Sequence, residues 1–169
     1  MDSTEIFVTA LQYEERIRDL YLSAVDIVDD ERGKALFKGL ADDEQSHIDF
    51  LKYSLDVLKG EGTIEIDRLK TPIPSQEKIL SHIETMKTSI PERMLGDVKR
   101  VLSSALELEL ETSAYYLDAS KKAEGEIKKV LEKFVEIENR HAEVVRIELD
   151  YASKSGHWFN FMEISMETE

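Results

Sequence analysis

The sequence predicts an all-α protein, a four-helix bundle with one long crossover between its second and third helices. Three observations carry that prediction. Apolar residues recur every three or four positions through four long stretches, the spacing of helices with one buried face. About 30 residues, including all three prolines, separate the second stretch from the third, where neighbouring helices usually need roughly 2–8. The two halves of the chain also repeat one another.

The first helix is expected over about residues 4–29. Asp2 is its N-cap, and Glu5 three positions on completes a capping box. Its inner stripe reads Ala10, Glu14, Ile17, Tyr21, Ala24 and Val28, so Glu14 faces inward among apolar residues. A second helix over about 31–59 stops at Gly60 and Gly62; its stripe is Leu36, Phe37, Leu40, Ala41, Glu44, His47 and Leu51. The crossover, residues 60–90, has room for a short helix over 75–87 capped by Ser75. Its length implies that the third helix starts at the same end of the bundle as the second.

The third helix is expected over about 91–122, opening on Pro91, which a first turn tolerates. The run from Leu106 to Glu111 alternates like a strand. Its flanks keep helical spacing and no turn residues bound it, so it reads as helix. The fourth helix spans about 126–153 and ends before Gly156. A tail over 154–169, rich in aromatics from His157 to Met162, is expected to pack on the bundle or on a second subunit.

At 169 residues the chain is expected to form one domain, long enough to bury roughly 70% of its unfolded surface. It has no cysteine, which excludes disulfides, iron–sulfur clusters and thiolate metal sites. The formal net charge of −14 argues against nucleic acid as a partner, because one polyanion would have to approach another. No apolar run reaches the ~18 residues that span a bilayer. The acidic start lacks the basic, apolar pattern of a secretory leader, and a cytoplasmic location is expected.

Displacing the chain by 95 positions places Ala10, Leu11, Glu14, Tyr21 and Ala24 on Ala105, Leu106, Glu109, Tyr116 and Ala119. A displacement of 94 places Leu40, Glu44, His47, Leu55 and Asp56 on Phe134, Glu138, His141, Leu149 and Asp150. Each half is thus a version of one helical hairpin, related to the other by a pseudo-two-fold. Asp29 lies midway between Glu14 and Glu44, and the Ala123–Glu124 junction midway between Glu109 and Glu138. Folding each hairpin at that midpoint brings its two inward glutamates level.

Glu-x-x-His sets both side chains on one helical face, about 60° apart around the axis. One such pair per half, with one glutamate from each partner helix, makes two half-sites facing across a bundle. The candidate metal ligands are therefore Glu14, Glu44, His47, Glu109, Glu138 and His141. Their four carboxylates balance two divalent ions. Oxygen donors with one imidazole per metal suit iron or manganese. Tyr21 and Tyr116, two turns beyond Glu14 and Glu109, are candidates for hydrogen bonds to ligand carboxylates and for a catalytic role. His82 and His157 lack the preceding glutamate and are expected to be structural.

This constellation, carried by Ala10-Leu11-x-x-Glu14, Leu36-Phe37-x-x-Leu40-Ala41-x-x-Glu44-x-x-His47 and their second-half copies, resembles the rubrerythrin branch of the ferritin-like di-iron carboxylate proteins. The resemblance implies that Glu44 and Glu138 bridge two iron ions, with Glu14 and Glu109 as terminal ligands and His47 and His141 binding one metal each. It further implies an oxidoreductase that reduces peroxide or O₂, or oxidises ferrous iron, and commonly a homodimer. Many rubrerythrins also carry a cysteine-rich rubredoxin module, and without one this chain needs an external electron donor. They often place a further glutamate one turn after the third-helix ligand, where this chain has Thr112. The alternatives are an iron-binding or iron-delivery protein without turnover, and a metal-free helical interaction module.

Overall fold

The computed structural model describes residues 2–74, 77–78 and 88–159. Four long helices dominate them: α1 (Ser3–Ile27), α2 (Glu31–Lys59), α3 (Leu95–Lys122) and α4 (Gly125–Ser155). The Asp2 carboxylate accepts from Glu5 N–H at 2.9 Å and Glu5 reaches back to Asp2 N–H, the expected capping box. Val28 is extended and ends α1 two residues earlier than the periodicity predicts. Leu106 to Glu111 is helical throughout.

The third helix begins at Leu95 rather than Pro91, because Pro91 leads into a 3₁₀ turn, Glu92–Met94, that feeds the helix. Just before it, Ile90 N–H donates to the Gly156 carbonyl at 2.8 Å, which holds the chain extended. Gly156 closes α4 with φ 67, the left-handed cap that glycine adopts without a Cβ penalty.

The helices form two antiparallel hairpins. In the first, Arg18 bonds Gln45 and Lys34 bonds the Val25 carbonyl; in the second, Ser113 bonds Asn139. The turns fall at Val28–Asp30 and Ala123–Glu124, at the midpoints that the repeat requires. Arg93, at the entry to α3, meets Asp29 in the first turn at 2.6 Å. The third helix therefore starts at the end where the second starts, and the crossover returns along the bundle. On its way, Ile64 N–H meets Glu126, and the carbonyls of Ile66 and Ile73 accept from Lys133 and Arg140. Against α2, Glu65 N–H meets the Tyr53 hydroxyl. The crossover thus lies between α2 and α4. The short helix expected over 75–87 falls almost wholly outside the described residues.

The tail departs from a purely helical expectation. His157–Trp158 pairs antiparallel with Thr88–Ser89 in a two-residue ladder, which apolar periodicity had no means of indicating. Trp158 and Phe159 are fully buried. Trp158 Nε1–H donates to Asp30 at 2.6 Å, and Phe159 N–H donates to the buried Glu148 at 2.9 Å. Through residue 159 the tail packs on the bundle; Asn160 to Met162 lie outside the described residues. No described helix is long and apolar enough to cross a membrane.

The apolar core is split in two. One cluster gathers around the turn end, with Ile17, Phe37, Leu102, Val145 and Trp158; the other holds Ile6, Phe7, Leu51, Leu131 and Phe134. Glu14, Glu44, Glu109 and Glu138 occupy the level between them along each helix. Gly33 fixes how closely the tail approaches α2: a Cβ there would lie 2.7 Å from Trp158 Cζ2 and 3.3 Å from Val28 Cγ2. Gly33→Ala is therefore expected to destabilise the protein by about 1–3 kcal/mol, although alanine is the better helix former. Urea unfolding followed by Trp158 fluorescence measures this, and a more stable variant would mean that the indole is not seated on Gly33.

Candidate metal centre

Each helix delivers its polar residues to the same depth because each keeps them on its buried stripe. Glu14, Glu44, His47, Glu109, Glu138 and His141 all have no exposed surface. The structure brings the six together in two overlapping groups. Donor atoms of Glu14, Glu44, His47 and Glu138 lie within 4.8 Å of one another, and so do those of Glu44, Glu109, Glu138 and His141. Glu44 and Glu138 belong to both groups, and the two imidazole rings lie 5.4 Å apart.

The donor set fits a pair of metal ions by a second criterion. Among the described residues, seven buried side-chain polar atoms lack a hydrogen-bond partner, and six of them are here: Glu14 Oε2, Glu44 Oε2, His47 Nδ1, Glu109 Oε2 and both Glu138 oxygens. Buried polar atoms are ordinarily paired, and each orphan costs roughly 1–3 kcal/mol or more. Five carboxylate oxygens and an imidazole nitrogen left bare at one spot are complementary to hard cations.

The imidazoles are turned so that Nδ1 faces this cluster and Nε2 faces away. His47 Nε2 lies 3.2 Å from the Lys70 carbonyl. That oxygen can only accept, so Nε2 carries the proton and Nδ1 presents its lone pair inward. His141 Nε2 lies 2.7 Å from Asp43 Oδ2, with Nδ1 2.8 Å from Glu44 Oε1 and 3.4 Å from Glu109 Oε1. Asp43, His47 and His141 could also form a trio of ligands. The proton on His47 Nε2 argues against that use.

Tyr21 and Tyr116 both hydrogen-bond carboxylates of the centre, each on the other hairpin rather than on its own helix. Tyr21 O–H donates across the bundle to Glu109 at 2.9 Å, and Tyr116 O–H donates to Glu14 at 2.8 Å. Glu14 and Glu109, one in each half, are each held by the tyrosine of the other half. Burial, reinforced by the neighbouring glutamates, raises both phenol pKa values well above normal, so both remain donors.

Sequence reasoning missed Asp43, Lys70 and Thr71. Asp43 sits one residue before a stripe position, and only its spacing of four from His47 could have marked it. Nothing local marks Lys70 or Thr71, whose roles arise where the crossover lies over α2. Thr112 is buried and donates to the Leu108 carbonyl at 2.7 Å, adding no ligand. His157 belongs to the tail ladder, and His82 lies outside the described residues.

Burial raises the Glu44 and Glu138 carboxyls well above their usual range, and the adjacent carboxylates, Glu14 foremost, push the same way. Burial also opposes charge on Glu109 and Asp43, but contact with His141 outweighs it and lowers both. For His141, burial works against the cation, yet Glu109 and Glu44 prevail and raise its pKa well above normal. Burial and crowding thus favour the protonated forms of Glu44 and Glu138, and the neighbouring glutamates favour that of His141, each of which offsets the crowded negative charge.

The sign of the pH dependence follows. Groups with raised folded pKa values stabilise fully below their unfolded values and lose that contribution as pH rises through the folded ones. Asp43 and Glu109 contribute above the ordinary carboxylate range and lose it as pH falls through their lowered values. Metal-free protein is therefore expected to lose Tm as pH rises above about 6.5, the ordinary histidine value. Each kcal/mol lost corresponds to about 2–4 °C in a chain of this size, and Glu138→Gln should flatten the slope. Calorimetry of chelator-treated protein checks this; a Tm that climbs over the same interval would mean that these groups are not held protonated. Comparison of the chain with protein-family models, curated proteins and solved structures gives no match.

Proposed function

We propose that this chain is a ferritin-like, non-haem di-iron protein of the rubrerythrin type, an oxidoreductase that reduces peroxide or O₂, with ferrous-iron oxidation the closely related alternative. The observation that carries the proposal is the pair of overlapping ligand groups sharing Glu44 and Glu138, with six partnerless donor atoms aimed at one spot. Two ferrous ions held there would supply two electrons to an oxygen–oxygen bond and positive charge for the developing oxide. Manganese or a mixed pair would satisfy the same donors.

The protein's own share is positioning and proton control. Glu44 and Glu138 would bridge, since each already reaches both groups. Glu14 and Glu109 would be terminal ligands, each with Oε1 occupied by a tyrosine and Oε2 free. His47 and His141 would bind through Nδ1. Tyr21 and Tyr116 each donate a proton within 3 Å to a carboxylate that would bind metal, fixing its orientation. The enclosing apolar clusters exclude bulk water, which strengthens each of these interactions. With no cysteine in the chain, reducing equivalents must come from a separate donor.

Anaerobically purified protein is expected to bind two iron ions per chain, and rapid mixing with one equivalent of peroxide should oxidise both. The Glu44→Gln, Glu138→Gln double variant should fall from two equivalents to none by elemental analysis; unchanged metal content would place the metal elsewhere. Tyr21→Phe should keep two equivalents but slow oxidation about tenfold or more. Bound iron that never reacts with peroxide or O₂ would favour a delivery protein, and no metal at all would favour a helical interaction module.

A further inference from the structure

The pseudo-two-fold fails at a buried residue directly beside the Glu-x-x-His pair. In the repeat, Asp43 of α2 corresponds to Ile137 of α4. Both precede the Glu-x-x-His pair of their half, so one half places a carboxylate where the other places a hydrocarbon. Asp43 is nearly inaccessible and fully engaged. Its Oδ2 accepts from His141 Nε2 at 2.7 Å and from Thr71 Oγ1–H at 2.8 Å, while its Oδ1 lies 3.5 Å from His47 Nε2. Ile137 has nothing equivalent to offer, and the hydrogen bond of His47 Nε2 goes to a crossover carbonyl, Lys70 O, at the longer distance of 3.2 Å.

An imidazole whose N–H is held by a carboxylate is a stronger donor through its other nitrogen than one held by a neutral carbonyl. Both histidines point Nδ1 at the same carboxylate cluster, and each group adds one terminal glutamate to the shared pair. Behind the rings the two halves differ.

We propose that Asp43 is a positioning residue that makes the two metal positions unequal, so that the position served by His141, Glu109, Glu44 and Glu138 fills before the one served by His47 and Glu14. The inference rests on the dinuclear reading of the centre. Thr71 gives the crossover a part in it: its hydroxyl donates to the same Asp43 oxygen that accepts from His141, and Lys70 beside it supplies the acceptor for His47. One short segment of the crossover sets both rings, one through a carboxylate and one directly.

Anaerobic titration of the full chain with cobalt(II), followed by visible absorption and by proton spectra of the hyperfine-shifted imidazole N–H signals, tests the proposal. Wild type should take two equivalents in steps separated by about 10–100-fold and show two exchangeable N–H signals. Asp43→Asn should weaken the tighter step by about that factor, leave the stoichiometry at two and move one N–H signal only. Thr71→Val should act in the same direction with smaller effect. Should Asp43→Asn fold poorly, His141→Ala and His47→Ala decide independently, the former losing the tight step and the latter keeping it. Two equal steps in wild type, a tight step untouched by Asp43→Asn, or one lost with His47 would each overturn the assignment while leaving a dinuclear centre standing. A third equivalent that vanishes in Asp43→Asn would make Asp43 a ligand and also overturn it. A wild-type chain that binds no cobalt would remove both the assignment and the di-metal reading.

Discussion

Four carboxylates are carried to one level in the middle of an otherwise apolar interior, and the rest of the molecule is arranged around that fact. An isolated ionised carboxylate in such a place costs far more than any single apolar contact supplies. Here the cost is distributed. Two tyrosines donate to Glu14 and Glu109, the His141 imidazole lies beside Glu44 and Glu109 with its pKa raised by them, and burial and crowding favour the protonated forms of Glu44 and Glu138. The bare oxygens that persist define what the centre is complementary to. The two hydrophobic clusters on either side keep water from relieving the same charge.

That polar level also explains the course of the crossover. A bundle that turns the N–H of a buried imidazole outward on its α2–α4 side needs a cover that can accept a hydrogen bond, and the segment from Ile64 to Ile73 supplies one. It buries Ile64, Leu69 and Ile73, gives Lys70 O to His47 and braces Asp43 through Thr71. Its outer edge is tied to α4 by Lys133 and Arg140. The tail acts at the opposite end, where Trp158 and Phe159 fill the first cluster and Gly33 admits the indole. Neither element adds a side chain to the two candidate ligand groups, and both fix the spacing of the helices that do.

The repeated glutamates, histidines and tyrosines hold the two halves alike, while Asp43 against Ile137 separates them beside the histidines. The crossed tyrosine pairs bind the halves together, since neither Glu14 nor Glu109 is held by a tyrosine of its own helix. Disturbing one hairpin therefore disturbs a carboxylate of the other.

Much of this could be read along the chain because it is encoded in local periodicity. The stripe spacing assigns Glu14, Glu44, His47, Glu109, Glu138 and His141 to inner faces. The repeat makes their levels coincide, and the turn midpoints follow from counting residues. What could not be read are contacts made by residues that no local pattern selects. Asp43 sits off the stripe and gains its role only because Thr71, 28 residues away, and His141, 98 residues away, converge on it. Tyr116 could be placed on the right face, but its partner lies 102 residues off in the other hairpin. Helical period decides which way a side chain points; only the packing of one hairpin on the other, with the crossover laid over them, decides what it meets.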